Sequence, residues 1–249
     1  MVTSPRETSS LIGDAVDWEH PSNAVQGESF KILLSMLRSY LPRPKYTITT
    51  ALPAGEWCLK HVDLPGLLNG SSSVLDHVNI MAYDFAGSWT NGQSGYHASL
   101  HTPKRPHNAF AKRSVSAITK YLTRDRKVDP NKIVMGIPVY GRAFAGVRGP
   151  GENFRRCSGS EGTYEYRDLP LPGAIEVVNK DIGAASCRAE GNELEWISYD
   201  NPATVAMKTK YVTENRLGGV FFWTSVSDSE ADDRSLVLAA YAQLAGAQK

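Results

Sequence analysis

Apolar residues along the chain fall into two alternating patterns. Short runs rich in Val, Ile, Leu and aromatics occupy residues 11–18, 46–52, 74–83, 132–140 and 218–225, each ending in polar residues or glycine. Between and after them, residues 29–41, 112–123, 202–214 and 229–244 repeat apolar positions at helical spacing, with Pro42, Asp129-Pro130 and Gly218 as stop signals. Runs that alternate with helical stretches predict βα units: a parallel sheet of α/β class with the helices outside it. Residues 145–196 break the rhythm, being rich in Gly, Pro, Arg and Tyr with short strand-like pieces, and are too long for an ordinary βα loop. They predict an inserted α+β subdomain. The sequence carries no internal repeat or low-complexity tract.

Composition narrows the partners. Of 249 residues, 41% are hydrophobic and 21% charged, which suits a folded globular chain. A formal net charge of +1, with Lys and Arg scattered, supplies no field to attract nucleic acid or an anionic membrane, so a neutral partner fits better. The longest apolar stretches reach about ten residues, whereas a membrane helix needs roughly twenty. Residues 1–10 are polar and include Pro5, Arg6 and Glu7, so they lack the apolar core of a secretory signal. Cys58, Cys157 and Cys187 have neither a framework nor a metal-ligand spacing, and free thiols are expected; a Cys157–Cys187 bridge is the alternative.

The chemistry gathers at the ends of the runs. In Gly13-Asp14-Ala15-Val16-Asp17-Trp18-Glu19-His20-Pro21 an apolar strand ends in alternating carboxylates. Strand parity points Asp17 and Glu19 the same way, roughly 7 Å apart, and Val16 and Trp18 toward the helices. Two carboxylates on one wall split their titrations, which keeps one protonated as a general acid; the alternative is a solvated pair at the start of a loop. In Asp76-His77-Val78-Asn79-Ile80-Met81-Ala82-Tyr83-Asp84, followed by Phe85-Ala86-Gly87-Ser88-Trp89, parity puts Asn79, Met81 and Tyr83 on one face, with Asp84 where the strand opens. Met81 reads equally as core filling, and Trp89 as a loop aromatic buried under its own loop or as a sugar-stacking surface. Ile137-Pro138-Val139-Tyr140-Gly141-Arg142-Ala143-Phe144 places Pro138, Tyr140 and Arg142 on one face, although an isolated Arg is usually a surface residue. Gly218-Gly219-Val220-Phe221-Phe222-Trp223-Thr224-Ser225 carries Trp223 late in the last strand, as barrel filling or as the floor of a sugar site.

These four motifs in this order, with Ser198-Tyr199-Asp200 ahead of the final-strand Trp, resemble the catalytic domain of family 18 chitinases, most closely the secreted fungal and bacterial type with an insertion after strand seven. The resemblance runs from about Gly13 to the C-terminus. It implies a (β/α)₈ TIM barrel whose site lies at the C-terminal ends of the strands. The five strands would be strands four to eight of a partial barrel, with residues 1–12 a non-matching segment, 13–144 and 197–249 the catalytic domain and 145–196 the insertion. It also implies hydrolysis of β-1,4-N-acetylglucosamine linkages in chitin or chito-oligosaccharides by a substrate-assisted, retaining route. On that likeness Glu19 is the acid, Asp17 and Tyr83 hold the acetamido group, Asp84 and Arg142 bind sugar hydroxyls, Trp223 stacks under the scissile sugar, Met81 packs beside it, and Tyr140 and Trp89 belong to the substrate site.

No metal, organic cofactor or protein partner is implied, and the likeness places the protein outside the cell. A non-catalytic chitin-binding lectin on the same fold is the alternative; loss of the acid is its usual origin, and Glu19 is present. Two departures stand out: Ala15 and Ile12 occupy positions that are acidic in the family, and no strands resemble its first three. A shortened reading frame accounts for both, and the chain taken alone is then expected to lack part of its sugar-binding wall and its activity.

Overall fold

The computed structural model describes residues 13–191 and 193–247; Leu11, Ile12 and the whole 1–12 segment lie outside it. Five parallel strands form the first sheet: β1 (Gly13–Val16), β2 (Thr47–Pro53), β3 (His77–Met81), β4 (Ile133–Pro138) and, after the insertion, β11 (Gly219–Trp223). They are ordered β1-β2-β3-β4-β11, so each strand lies beside the one before it in the set. Among the described residues β1 pairs only with β2 and β11 only with β4, which leaves the sheet open.

Two of the strands, β2 and β3, show two unlike faces. In β2 and β3, Ile48, Thr50, Leu52, Val78 and Ile80 are buried, while the residues between them are partly exposed or, at Thr47, exposed. The buried set packs under the helices in a core that takes in Phe30, Leu34, Leu64, Leu67, Ile133 and Met135. The other face is the concave side on which the site is built. Trp18, just past β1, turns to the helix side and meets the Phe30 ring edge to face at 5.7 Å.

Helix α1 (Ala24–Tyr40) starts where Asn23 accepts from the Gln26 amide at 3.0 Å, satisfying one of the helix's free donors. Gly27 lies so close to the next connection that a Cβ would stand 1.8 Å from the His61 carbonyl oxygen, which fixes how near α1 can pack. In the last turn Arg38 reaches Asp76 at 2.5 Å and the carbonyls of Val74, Leu41 and Tyr46 at 2.8–2.9 Å, tying α1 to the starts of β2 and β3. Two short helices that the periodicity does not announce, α2 (Glu56–Leu59) and α3 (Leu64–Leu68), fill the β2–β3 connection. Helix α4 (Val115–Lys120), capped by Ser114, runs on into a π turn over Tyr121–Asp125. Helix α5 (Pro202–Glu214) starts on a reciprocal cap in which Asn201 and Thr204 bond each other's backbone; α6 (Leu236–Ala247) closes the chain.

The run at 132–140 is not a single strand. β4 ends at Pro138, and Tyr140 opens β5 (Tyr140–Ala145) in a second, antiparallel sheet with β6 (Arg156–Cys157), β7 (Thr163–Glu165), β8 (Ile175–Asn179), β9 (Ala184–Glu190) and β10 (Leu194–Tyr199). Its order is β6-β5-β10-β9-β8, with β7 also on β5. Val139 is the single residue between the two sheets: its N–H donates to the Trp223 carbonyl at 2.7 Å and its own carbonyl accepts from Tyr166 N–H at 3.2 Å. One face of the second sheet packs with Ile137, Tyr166, Leu236 and Ala240; the other, with Phe144 and Trp196, is covered by Ala86 and Tyr96 from the loop after β3. All three cysteines are free, which sets aside the Cys157–Cys187 bridge. Cys157 lies in β6, paired with Phe144, and Cys187 in β9, with β5 and β10 between the two strands.

Candidate active site

The ends of the parallel strands and the near edge of the second sheet enclose a cavity of about 520 Å³. Asp17, Glu19, Met81, Tyr83, Asp84, Tyr140, Arg142 and Trp223 all line it, so the strand parity of four separate motifs converges on one space. Asp17 and Glu19 are exposed and lie on the same wall. Ala15 lines it too, placing a methyl group on the strand that leads to these two carboxylates. Gly136 on β4 leaves room for the aromatic part of the wall: a Cβ there would come within 2.8 Å of both the Tyr83 and Phe221 rings. The peptides after the two outermost site residues, Glu19–His20 and Trp223–Thr224, are cis.

Opposite the acids lies a preorganised polar wall. Asp84 has φ +57°, a left-handed conformation that Asp tolerates and that turns its carboxylate across to the second sheet. There Arg142 forms a two-pronged ion pair, Nε to Oδ1 and Nη2 to Oδ2 at 2.8 Å each, and the Tyr140 hydroxyl donates to Oδ1 at 2.8 Å. Burial by itself raises the Asp84 proton affinity, but the two-pronged Arg142 guanidinium outweighs it and holds the carboxyl well below the usual range. Burial drives Tyr140 and Tyr83 the other way, above an ordinary phenol, and the Asp84 charge adds to it. Both therefore remain hydroxyl donors at neutral pH. His97 is fully buried behind this wall, with Nδ1 3.6 Å from Asp84 Oδ1, beyond hydrogen-bond reach, and its proton affinity is lowered chiefly by burial.

Trp223 is 54% exposed on the cavity side at the end of β11, as a stacking surface requires. Trp89 is not buried under its own loop: it is 42% exposed, and its ring lies 4.9 Å from the Arg142 guanidinium. It lines a second cavity, of about 590 Å³, that shares Glu19, Met81, Tyr83 and Asp84 with the first. Pro138, on the Tyr140 face by parity, is buried. Sequence reasoning missed Glu161 and Thr163, which reach the first cavity from the start of β7 and the turn before it. Asn79 could have been assigned there from its parity with Met81 and Tyr83. Nothing local marks Glu161, which lies in a turn with φ +52° inside irregular sequence. Among the described residues, no group of three His, Cys, Asp or Glu is placed to hold a metal ion, and no helix is long and apolar enough to cross a membrane.

The pattern of glycosyl hydrolases family 18 matches residues 14–228. Chitinase 1 of Aphanocladium album is 32% identical over 233 residues, covering 89% of this chain and 53% of that protein. Endochitinase 1 of Metarhizium robertsii is 32% identical over 232 residues with the same coverages. The catalytic domain 2 of the Group II chitinase from Ostrinia furnacalis superposes with a TM-score of 0.81 at 20% identity, over 94% of this chain and 67% of that one. The chain thus spans about half the length of the two fungal chitinases, and its fold is TIM-barrel-like α/β. Matched across most of its described residues, the chain belongs to glycosyl hydrolases family 18.

Proposed function

We propose that the protein is a chitinase, hydrolysing β-1,4 linkages between N-acetylglucosamine units, and that its five parallel strands correspond to strands four to eight of the family's barrel. The observation that carries this reading is the shared cavity: Glu19 and Asp17 on one wall, the Tyr83 hydroxyl beside them, and an indole, Trp223, as floor. Glu19 protonates the glycosidic oxygen while the substrate's own acetamido oxygen attacks C1, so the C1–O bond breaks and an oxazolinium ring closes. Water then adds to C1, giving its proton to Glu19, and the anomeric configuration is retained. Asp17 holds the acetamido N–H and offsets the positive charge; the Tyr83 hydroxyl fixes the acetamido carbonyl. Asp84 and Arg142 bind neighbouring sugar hydroxyls, with the Tyr140 hydroxyl donating to Asp84 to hold it in place, and Met81 packs beside the scissile sugar. Chitin outside the cell is the proposed substrate pool.

The test is hydrolysis of an N-acetylglucosamine oligomer by the chain, alone and with the family's three preceding βα units fused ahead of β1, the product anomer being followed by NMR. Glu19→Gln, which keeps shape and loses the proton, should abolish turnover and leave binding intact. Near-normal turnover by the variant eliminates the assignment. Binding without turnover by the wild-type fusion favours the lectin reading.

A further inference from the structure

Glu19 sits at a junction. On the side away from Trp223 the second cavity is walled by His20, Trp57, Trp89, Phe110 and Arg113. A third, of about 270 Å³, continues past Trp57 and Arg113, which line both. Trp57 is 46% exposed there, with the His20 ring against it at 4.5 Å. Arg113 is the unusual member. Its guanidinium lies 4.8 Å from the centre of the Phe110 ring, partly buried, and among the described residues no carboxylate lies within 4.0 Å of it. Burial draws its proton affinity below the ordinary arginine value. Its guanidinium is only partly covered and its nitrogens are not sealed in the protein, so its donors remain free to meet a ligand in the cavity. It is also not isolated: residues 101–113 contain Lys104, Arg105, Lys112 and Arg113 and no acidic residue, whereas the whole chain is nearly neutral. Glu56 is the one carboxylate on the third cavity; the second carries Glu19 and Asp84, of which Asp84 is engaged by Arg142.

A glycosidase holds sugar on both sides of the bond it cuts, and the group its acid protonates departs with the reducing-end part. If Glu19 is that acid, the cavities beyond it receive the reducing-end sugars. We propose that Arg113 is a specificity-determining residue of this half of the cleft: facing Trp57, it donates to the acetamido carbonyl and hydroxyls of an N-acetylated sugar and repels the ammonium group of a deacetylated one. This rests on the chitinase reading. The protein is thereby selective for acetylated polymer on the leaving-group side, independently of the acetamido group that the chemistry itself needs.

The experiment is calorimetric binding to the 249-residue chain carrying Glu19→Gln, so that nothing is cut. Two pentamers are compared, one fully N-acetylated and one with its two reducing-end sugars deacetylated. The acetylated pentamer should bind about tenfold more tightly, the worth of one hydrogen bond to a charged group, and the preference should shrink as salt is raised. Adding Arg113→Gln should weaken the acetylated pentamer by about tenfold and bring the two ligands to within roughly twofold. Arg113→Lys keeps the charge without the planar fork, so it should retain the preference while losing affinity. Circular dichroism and melting curves establish that both variants fold. Unchanged affinity and preference in Arg113→Gln overturns the assignment of Arg113 alone, and so does failure of the parent chain to bind either pentamer; the chitinase reading is judged separately, by turnover in the fused protein.

Discussion

Replacing Asp84 by asparagine tests whether the wall opposite the acids is held by charge. The carboxylate accepts from Arg142 Nε and the Tyr140 hydroxyl at Oδ1 and from Arg142 Nη2 at Oδ2, all at 2.8 Å. An asparagine can keep the Oδ1 bonds but turns an NH₂ toward Nη2, so one charge-assisted bond is lost and a guanidinium only 17% exposed is left uncompensated. Such a bond contributes about 1.5–3 kcal/mol. Asp84 itself is 35% exposed, so water screens part of the loss, and the expected destabilisation is about 2–3 kcal/mol. That corresponds to a fall in melting temperature of roughly 4–12 °C for a chain of this size.

The pH dependence gives a second, independent check. The folded carboxyl is held below its unfolded value, so its contribution is complete above about pH 5, where an unfolded aspartate is almost fully ionised. As pH falls further the unfolded chain takes up a proton that the folded one refuses, and the gap between wild type and Asp84→Asn should narrow. Urea unfolding of both proteins at stepwise pH measures it. A gap under about 0.5 kcal/mol at neutral pH, or one that does not narrow between about pH 5 and pH 3, refutes the reasoning.

Three further outcomes are expected. Ala15→Asp adds a negative neighbour on the Asp17 wall, so it should raise the Asp17 proton affinity and move the acid limb of the pH–rate profile of the fused enzyme upward; an unchanged profile makes the third carboxylate irrelevant here. Lys208→Met strands Asp200, whose ion pair with Lys208 is 1% exposed on both sides, and should cost about 3–5 kcal/mol in chemical unfolding, most of it recovered by adding Asp200→Asn. Burial pushes the Cys58 thiol up to about 11, so alkylation at pH 8 should leave Cys58 unmodified in the folded chain and label it after denaturation, as peptide mass spectrometry will show.

Much of the parallel sheet was legible because its signal is local and repeated. Period-two alternation in β2 and β3 separates Ile48, Leu52, Val78 and Ile80 from the residues on the concave face, and the same parity aims Asp17 with Glu19 and Met81 with Tyr83. Helix α5 was equally plain, since Asn201-Pro202 supplies both its cap and its first turn. Other features depend on one residue or on distant partners. The switch at Val139 is hidden because both sides of it are apolar and strand-forming, so a single run conceals two sheets. Asp84 and Arg142 are 58 positions apart, and no periodicity links them; only the left-handed turn at Asp84 brings them together. The helices α2 and α3 have four and five residues, too few to show a period.

The peptide unit at Val139 gears the two sheets together. Its N–H is tied to the Trp223 carbonyl and its own carbonyl to Tyr166, and Tyr140 and Arg142 follow one and three positions later. The two sheets are thus joined through a single residue: the backbone that runs on into Tyr140 and Arg142 is bonded to that of Trp223 across the cavity they line.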